Sequence, residues 1–332
     1  MAQTLVIAEK PSVAGDIARA LGGFKKDGEF WTRDDMIIGS AVGHLLEIKA
    51  PEEYDVKRGR WSFANLPVIP PYFDLQPIKK SESKYTALAK KIRSRAVTDL
   101  INACDAGREG ELIFRYIIQA CGSKKPIRRL WLQSMTKASI QEAFTQLRSD
   151  EEMKPLEAAA RSRSEADWLV GINGTRALTA FNSKDGGFFL TTVGRVQTPT
   201  LAIVVAREEE INHFKPKDYW EVHATFKAAA GEYEGKWIAP DFTKTKGMPA
   251  ELRADRIWSA ADAEKIVAKC AGREGTVTEQ SRKATSLAPA LFDLTSLQRE
   301  ANSRFGFPAK MTLAIAQRLY ERHKVLTYPR TD

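Results

Sequence analysis

Short apolar runs alternate with helical stripes through the first half of the chain. Thr4 to Ala8 reads as a short buried strand. Pro11 and Ser12 open a helix, because Pro is favoured in a first turn, and Gly22-Gly23 stops it near Leu21. Residues 36–48 read as strand, and residues 51–80, rich in Pro and aromatics, as an irregular excursion. A polar helix is predicted over 81–95, then a second buried strand in VTDLINACDA, then a helix from about Gly110 to Cys121. Residues 127–133 are predicted as strand and Lys137 to Leu147 as helix. Strands that alternate with helices imply an α/β layer, a parallel sheet with helices on both faces.

The second half changes its period. Residues 155–182 read as one long helix or two, punctuated by Arg161, Arg163 and Arg176. A Gly-rich turn and short strand occupy 186–193, and a helix runs from Thr198 to about Ile211. Alternation in YWEVHATFKA and EGKWIA predicts antiparallel strands, so a β-rich segment spans 218–285, with one helix at 262–271. After Pro289 the pattern is helical again. Thr295 with Gln298 suggests a capping box, Gly306 and Pro308 end that helix, and Met311, Ile315 and Leu319 form the stripe of the next. The expected organisation is multidomain α/β and α+β. Its four parts are an α/β domain at 1–153, a helical region at 154–216, a β-rich segment at 217–288 and a partial helical domain at 289–332.

Composition narrows the function classes. The 332 residues carry a formal net charge of +9, which suits a polyanionic partner and equally a solvated basic surface. No stretch of 18 or more apolar residues exists, which argues against a membrane-spanning helix. MAQTLVIAEKP lacks the cationic start of a signal peptide, so the cytoplasm is expected. Cys104, Cys121 and Cys270 are odd in number and form no CxxC pair, which supports neither a zinc ribbon nor a disulfide framework.

Two buried strands end in acids, Glu9 and Asp105. The carboxyl ends of strands in a doubly wound sheet are where ligands collect. Glu9, Asp105 and Glu109 placed there would form a carboxylate cluster that needs a cation, and hard oxygen donors favour Mg²⁺. Each acid alone is equally a helix N-cap or first-turn residue favoured by the helix dipole.

LVIAEKPSVA, followed a domain-length later by CDAGREGELI, resembles the Toprim domain of topoisomerases, primases and some nucleases. The usual pattern in the second segment is DxDxE. This chain has Asp105, Gly107 and Glu109, so the middle acid is missing and a second metal site is in doubt. Glu111 is a candidate replacement on the helix. The resemblance implies that Glu9, Asp105 and Glu109 hold Mg²⁺. It also implies that Lys10 lies near a scissile phosphate, where its ammonium stabilises charge or protonates a leaving oxygen.

LTYPRTD adds a nucleophile. Tyr328 precedes Pro329 and is biased to an extended conformation, so Arg330, two residues on, shares its face. A phenol has a pKa near 10 and attacks phosphate poorly, and a guanidinium that grips the phosphate favours the phenolate. Together with QRLYERHKV, the segment resembles the nucleophile motif of type IA DNA topoisomerases. His323 and Lys324 read as phosphate contacts or surface residues.

TVGRVQTPTLAIV and RSRSEADWLVGINGTRALT resemble that family's single-strand groove. There Arg195 would clamp phosphate and Gln197 would hydrogen-bond a base edge or sugar. Thr198 would cap the next helix, whose N-terminus is itself a phosphate site. Arg163 and Asp167, one turn apart, would line a base pocket; without the resemblance they are an i,i+4 surface ion pair.

The resemblance spans the chain, with the motifs in the family's order. It implies ATP-independent cleavage of single-stranded DNA through a 5′-phosphotyrosine at Tyr328, strand passage and resealing, with no nucleotide cofactor. It also implies a chain that ends just after its nucleophile, with a missing C-terminal half as a possible partner and impaired turnover. A non-turnover single-strand binder and another Toprim enzyme, a primase or nuclease, stand as alternatives. LTYPRTD separates the latter.

Overall fold

The computed structural model describes residues 2–53 and 61–330. Residues 54–60 of the expected excursion, and Thr331 and Asp332 of LTYPRTD, lie outside the described residues. The chain divides into two compact units, Met1–Leu201 with Pro289–Asp332, and Ala202–Ala288.

The first unit opens with β1 (Gln3–Ala8) and α1 (Pro11–Leu21). A hairpin of β2 (Lys25–Asp27) and β3 (Phe30–Thr32) leads to β4 (Met36–Ser40). β5 (Leu46–Ile48) pairs with β6 (Leu75–Pro77) in a separate ribbon. α2 (Glu82–Arg93), β7 (Val97–Ala103), α3 (Arg108–Cys121), β8 (Ile127–Arg129), α4 (Lys137–Thr145) and β9 (Arg148–Ser149) complete the layer. α5 (Asp150–Asn182) and α6 (Gln197–Asn212) follow. β10 (His223–Ala228), β11 (Gly231–Lys236) and α7 (Ala260–Cys270) belong to the second unit. α8 (Leu294–Phe305), α9 (Ala309–Arg318) and a π-turn at Leu319–His323 return to the first. No helix among the described residues is long and apolar enough to cross a membrane.

The main sheet has the order β2-β3-β4-β1-β7-β8-β9. β4, β1, β7 and β8 are parallel, as the βα alternation predicts. The edges are antiparallel, so the sheet is mixed. The hairpin β2–β3 has only three residues a side, Lys25-Lys26-Asp27 against Phe30-Trp31-Thr32, too few to show a period, and its tight turn at Gly28 permits only antiparallel pairing. β1 is covered on both faces. Leu5 and Ile7 pack under α2 and α3, while Val6 and Ala8 pack under α1. That placement explains the unbroken apolar run, because a strand buried on both faces has no polar side to show.

Several expectations shift. The strand expected over 36–48 breaks into β4 and β5 around Val42 and Gly43, both left-handed. Residues 155–182 lie in one helix, which starts at Asp150 behind a Ser149–Glu152 capping box. The segment 186–193 is no strand. Phe189, Val193 and Thr191 donate their N–H groups to the hydroxyls of Ser183, Thr175 and Thr179 on α5. The capping box at α8 is Asp293 with Ser296, because the helix begins one residue before Thr295, and Gln298 donates to the Ala309 carbonyl instead. In α9 and the π-turn the buried stripe is Thr312, Ala316 and Tyr320 rather than Met311, Ile315 and Leu319. Ile315 and Leu319 instead face an apolar cleft of about 440 Å³ with Leu297, Phe305 and Leu326. Among the described residues the second unit holds the part of α6 from Ala202 on, one hairpin, β10–β11, an isolated bridge between Trp220 and Ile257, and α7, fewer strands than the alternation suggests.

Candidate active site

β1 and β7 are parallel neighbours, with Ala8 opposite Ala103. Residues just past their C-terminal ends therefore emerge side by side, and these are Glu9 and Asp105. Their side chains are close enough for each charge to act on the other. Burial, and then the charge of Asp105, push the Glu9 carboxyl up to about 7, although Lys10 pulls it down. Two acids in such contact share a proton or need a cation. Hard carboxylate oxygens of this kind fit Mg²⁺, which takes one or two carboxylates and keeps waters.

Glu109 stands apart. α3 begins at Arg108, so Glu109 lies in its exposed first turn, and its Oε2 is 3.4 Å from His44 Nε2. No three acidic, His or Cys side chains already converge on one point among the described residues. Gly107 has extended backbone, and a Cβ there would meet nothing within 4 Å. Glu111 does not stand in for the missing acid. It is fully buried, facing away, with Arg115 Nε at 2.7 Å and Asn102 Nδ2 at 2.9 Å.

The turn that carries Asp105 is clamped from behind. Arg129, 1% exposed, donates Nη1 to the Cys104 carbonyl at 2.7 Å and Nη2 to the Asp105 carbonyl at 2.8 Å. Nη1 also reaches the Asn102 and Leu130 carbonyls, and Nε approaches Glu111 at 3.5 Å without hydrogen-bond geometry. From the front, α3 crowds the same turn. A Cβ on Gly110 would sit 2.1 Å from the Asp105 carbonyl oxygen, so only glycine permits the approach.

Lys10 Nζ lies 3.4 Å from Asp105 Oδ2 and 2.7 Å from Glu321 Oε1 on the π-turn. Burial lowers its pKa, but the Glu321 hydrogen bond and the neighbouring carboxylates outweigh burial, and the net shift is upward. Tyr328 completes the group. Its N–H donates to the Gln133 carbonyl at 2.8 Å, and its ring packs 5.4 Å from buried Tyr320, tilted by 59°. Its hydroxyl lies within electrostatic reach of Asp105 and Glu9. Burial, then the charges of Asp105 and Glu9, hold the phenol well above its ordinary pKa, and Arg330 acts in the opposite direction. Arg330 is exposed.

The single-strand residues form a second cluster. Arg195 Nη1 reaches Asp167 Oδ1 at 3.1 Å and the Arg163 carbonyl at 3.4 Å, and Arg163 Nε lies 3.8 Å from Asp167 Oδ2. Two motifs separated in sequence thus meet on one exposed surface. Gln197 opens α6, and Thr198 is inside that helix rather than its cap, with its hydroxyl accepting from the Gly194 N–H at 3.1 Å.

Sequence reading missed Glu321, Arg129 and the pairing of Lys324 with Asp16. Arg129 leaves a trace, a cation in the apolar string IRRLWL. Glu321 and Asp16 leave none, because their partners are far away in sequence.

Residues 151–332 match the family described as DNA topoisomerase, and residues 4–135 match the Toprim domain. The chain belongs to the DNA topoisomerase family, in its type IA branch. It is 40% identical to DNA topoisomerase 3 of Bacillus subtilis (strain 168) over 334 aligned positions, covering 100% of this chain and 43% of that protein. DNA topoisomerase 3 of Bacillus cereus (strain ATCC 14579) is 41% identical with the same coverage. This chain thus spans less than half the length of these curated relatives. The fold is similar to that of full-length topoisomerase I from Thermotoga maritima, with a TM-score of 0.60 at 22% identity, over 99% of this chain and 49% of that one.

Proposed function

We propose that this chain carries the cleavage centre of an ATP-independent DNA strand-passage enzyme that acts on single-stranded DNA. The observation that supports it is that Tyr328, held through Gln133 and Tyr320, comes within electrostatic reach of Asp105 and Glu9, with Lys10 3.4 Å from Asp105, at the carboxyl ends of β1 and β7. Tyr328 Oη attacks the phosphodiester, the O–P bond to the upstream 3′-oxygen breaks, and a 5′-phosphotyrosine forms. The freed 3′-hydroxyl later attacks the same phosphorus and releases the tyrosine. One ester replaces another, so no nucleotide cofactor is needed. Another strand passes while the gap is open. The four segments 1–153, 154–216, 217–288 and 289–332 are our division of labour for this reaction, and the cytoplasm is its setting.

Lys10 binds the reacting phosphate once that anion competes with Glu321, and it is placed to protonate the leaving 3′-oxygen. Arg330 grips the same phosphate and opposes the carboxylates that keep the phenol protonated. Glu9, poised at about 7, accepts a proton at its carboxylate as Tyr328 is deprotonated. Glu9 and Asp105 would hold Mg²⁺, with Glu109 a further ligand if its side chain turns from His44. The chemistry that ion supplies is positive charge that aligns DNA for resealing.

The test uses single-stranded oligonucleotides labelled at either the 5′ or the 3′ end, incubated with the protein with and without Mg²⁺ and denatured. A covalent adduct that keeps the 3′ label is expected. An adduct that keeps only the 5′ label overturns the reading. If no adduct forms but binding persists, a single-strand binder without turnover remains.

Two further outcomes follow from the geometry. Gly107→Asp adds a carboxylate beside Asp105 where there is open space, so Mg²⁺ binding is expected to tighten in a calorimetric titration. An unchanged affinity refutes the open position as a metal-side site. Arg195→Ala removes a cation from the Arg163–Asp167 cluster. Single-strand affinity is expected to fall and the slope of log K against log salt to shrink by about 0.7. An unchanged slope removes Arg195 from the DNA path.

A further inference from the structure

After the π-turn the chain must reverse to bring Tyr328 back to the sheet. The reversal sits at Lys324, whose backbone is left-handed at φ 58° and ψ 32°. A non-glycine residue there costs about 1 kcal/mol or more and persists only where its surroundings fix it. Here the surroundings are specific. Lys324 Nζ lies 2.7 Å from Asp16 Oδ2, and Asp16 is a buried acid on α1, the helix that begins just after Lys10. Asp16 also receives Arg19 from its own helix. The Val325 N–H donates to the Leu319 carbonyl at 3.0 Å and closes the turn.

Two ion pairs therefore join the α1 end of the sheet to the tyrosine segment. In one the cation is on the sheet side, Lys10 to Glu321; in the other it is on the tyrosine side, Lys324 to Asp16. They differ in what DNA does to them. A phosphate at the cleavage centre competes for Lys10 and frees Glu321. It gives Lys324 no reason to leave Asp16, whose ion partners are Arg19 and Lys324 rather than Lys10.

We propose that Lys324 and Asp16 are a positioning pair for Tyr328, which keeps the nucleophile seated on the sheet while Lys10 transfers from Glu321 to the phosphate. The pair contacts neither substrate nor reacting atoms. Its role rests on the cleavage reading above. It predicts that loss of the pair loosens the Tyr328 backbone and slows attack without weakening DNA binding.

The experiment compares wild type, Lys324→Met, Asp16→Asn and the double variant, with Lys324→Arg as the conservative change. Hydrogen–deuterium exchange is read on the peptide that holds the Tyr328 amide. Exchange is expected to quicken about tenfold in each single variant, to quicken no further in the double variant, and to stay slow in Lys324→Arg, as for one shared interaction. The single-turnover adduct rate at saturating oligonucleotide is expected to fall by a similar factor while oligonucleotide Kd is unchanged. Wild-type exchange in Lys324→Met overturns the proposal. So does additive behaviour in the double variant. If a variant fails to fold by circular dichroism, Lys324→Arg against wild type decides, because fast exchange with the charge retained also overturns it. If wild type makes no adduct, the cleavage reading fails, and the exchange arm still tests whether the pair seats Tyr328.

Discussion

Tyr328→Phe is expected to abolish the covalent DNA adduct, with a loss of at least about a thousandfold in adduct yield. The change removes one oxygen and keeps the ring. That ring packs 5.4 Å from Tyr320, and its backbone N–H still reaches Gln133, so the segment stays where it is. The hydroxyl lost lies near the Asp105 and Glu9 charges, and stability is expected to change by no more than about 1 kcal/mol. Asp105 retains Lys10 at 3.4 Å and the Glu9 contact. In the function proposed above, oligonucleotide binding rests on the Arg163–Asp167–Arg195 cluster and on Lys10, none of which changes. Cleavage should thus disappear while affinity persists, the pattern of a missing nucleophile rather than a damaged fold. The same end-labelled assay decides it. An adduct of wild-type yield from Tyr328→Phe would move the chemistry elsewhere, and Tyr320 is the phenol to test next.

The parts of this site visible in sequence are those written by local rules. An apolar run ending in an acid is a strand delivering a carboxylate, so Glu9 and Asp105 can be placed on one crevice before any coordinates. Tyr-Pro-Arg states its own geometry through proline. Arg163 and Asp167 are paired by helical spacing, although their meeting with Arg195 needs the fold. What local rules misplace depends on a boundary or a distant partner. The helix expected from Gly110 starts at Arg108, and the Glu109 side chain in its first turn lies beside His44, a neighbour the sequence does not announce. Thr198 reads as a cap until α6 is seen to begin at Gln197. Glu111 reads as a spare acid until two arginines are found around it. Lys324 reads as surface because Asp16 is over 300 residues away. The antiparallel edges of the sheet escape for another reason, since β2 and β3 are too short to show a period.

Arg129→Met is expected to cost about 3–5 kcal/mol of stability, the range for removing one partner of a buried charge network. Methionine fills the space, so the loss is in polar contacts rather than volume. Burial lowers the arginine's pKa and outweighs the opposing charge of Glu111, so the guanidinium depends on the carbonyls it binds to offset its desolvation. Its removal leaves the Cys104, Asp105 and Leu130 carbonyls without the donor they share. Glu111 keeps Arg115 and Asn102, so its charge is not stranded, which places the cost nearer the lower end. The same change reaches the chemistry. The Asp105 carbonyl is fixed by Arg129 on one side and crowded by Gly110 on the other. With one wall gone, the turn can move and the Glu9–Asp105 contact loosens. Glu9 should then titrate closer to an ordinary carboxyl, and Mg²⁺ should bind more weakly because its two ligands are no longer pre-set. Urea unfolding measures the first effect as a lower midpoint at unchanged slope. Calorimetry at a temperature where the variant stays folded measures the second. A stability loss below about 1 kcal/mol would show that water replaces the guanidinium at those carbonyls, and the clamp would then be dispensable. A full stability loss with wild-type Mg²⁺ affinity would separate the two roles, leaving Arg129 a part of the core that happens to lie behind the acids.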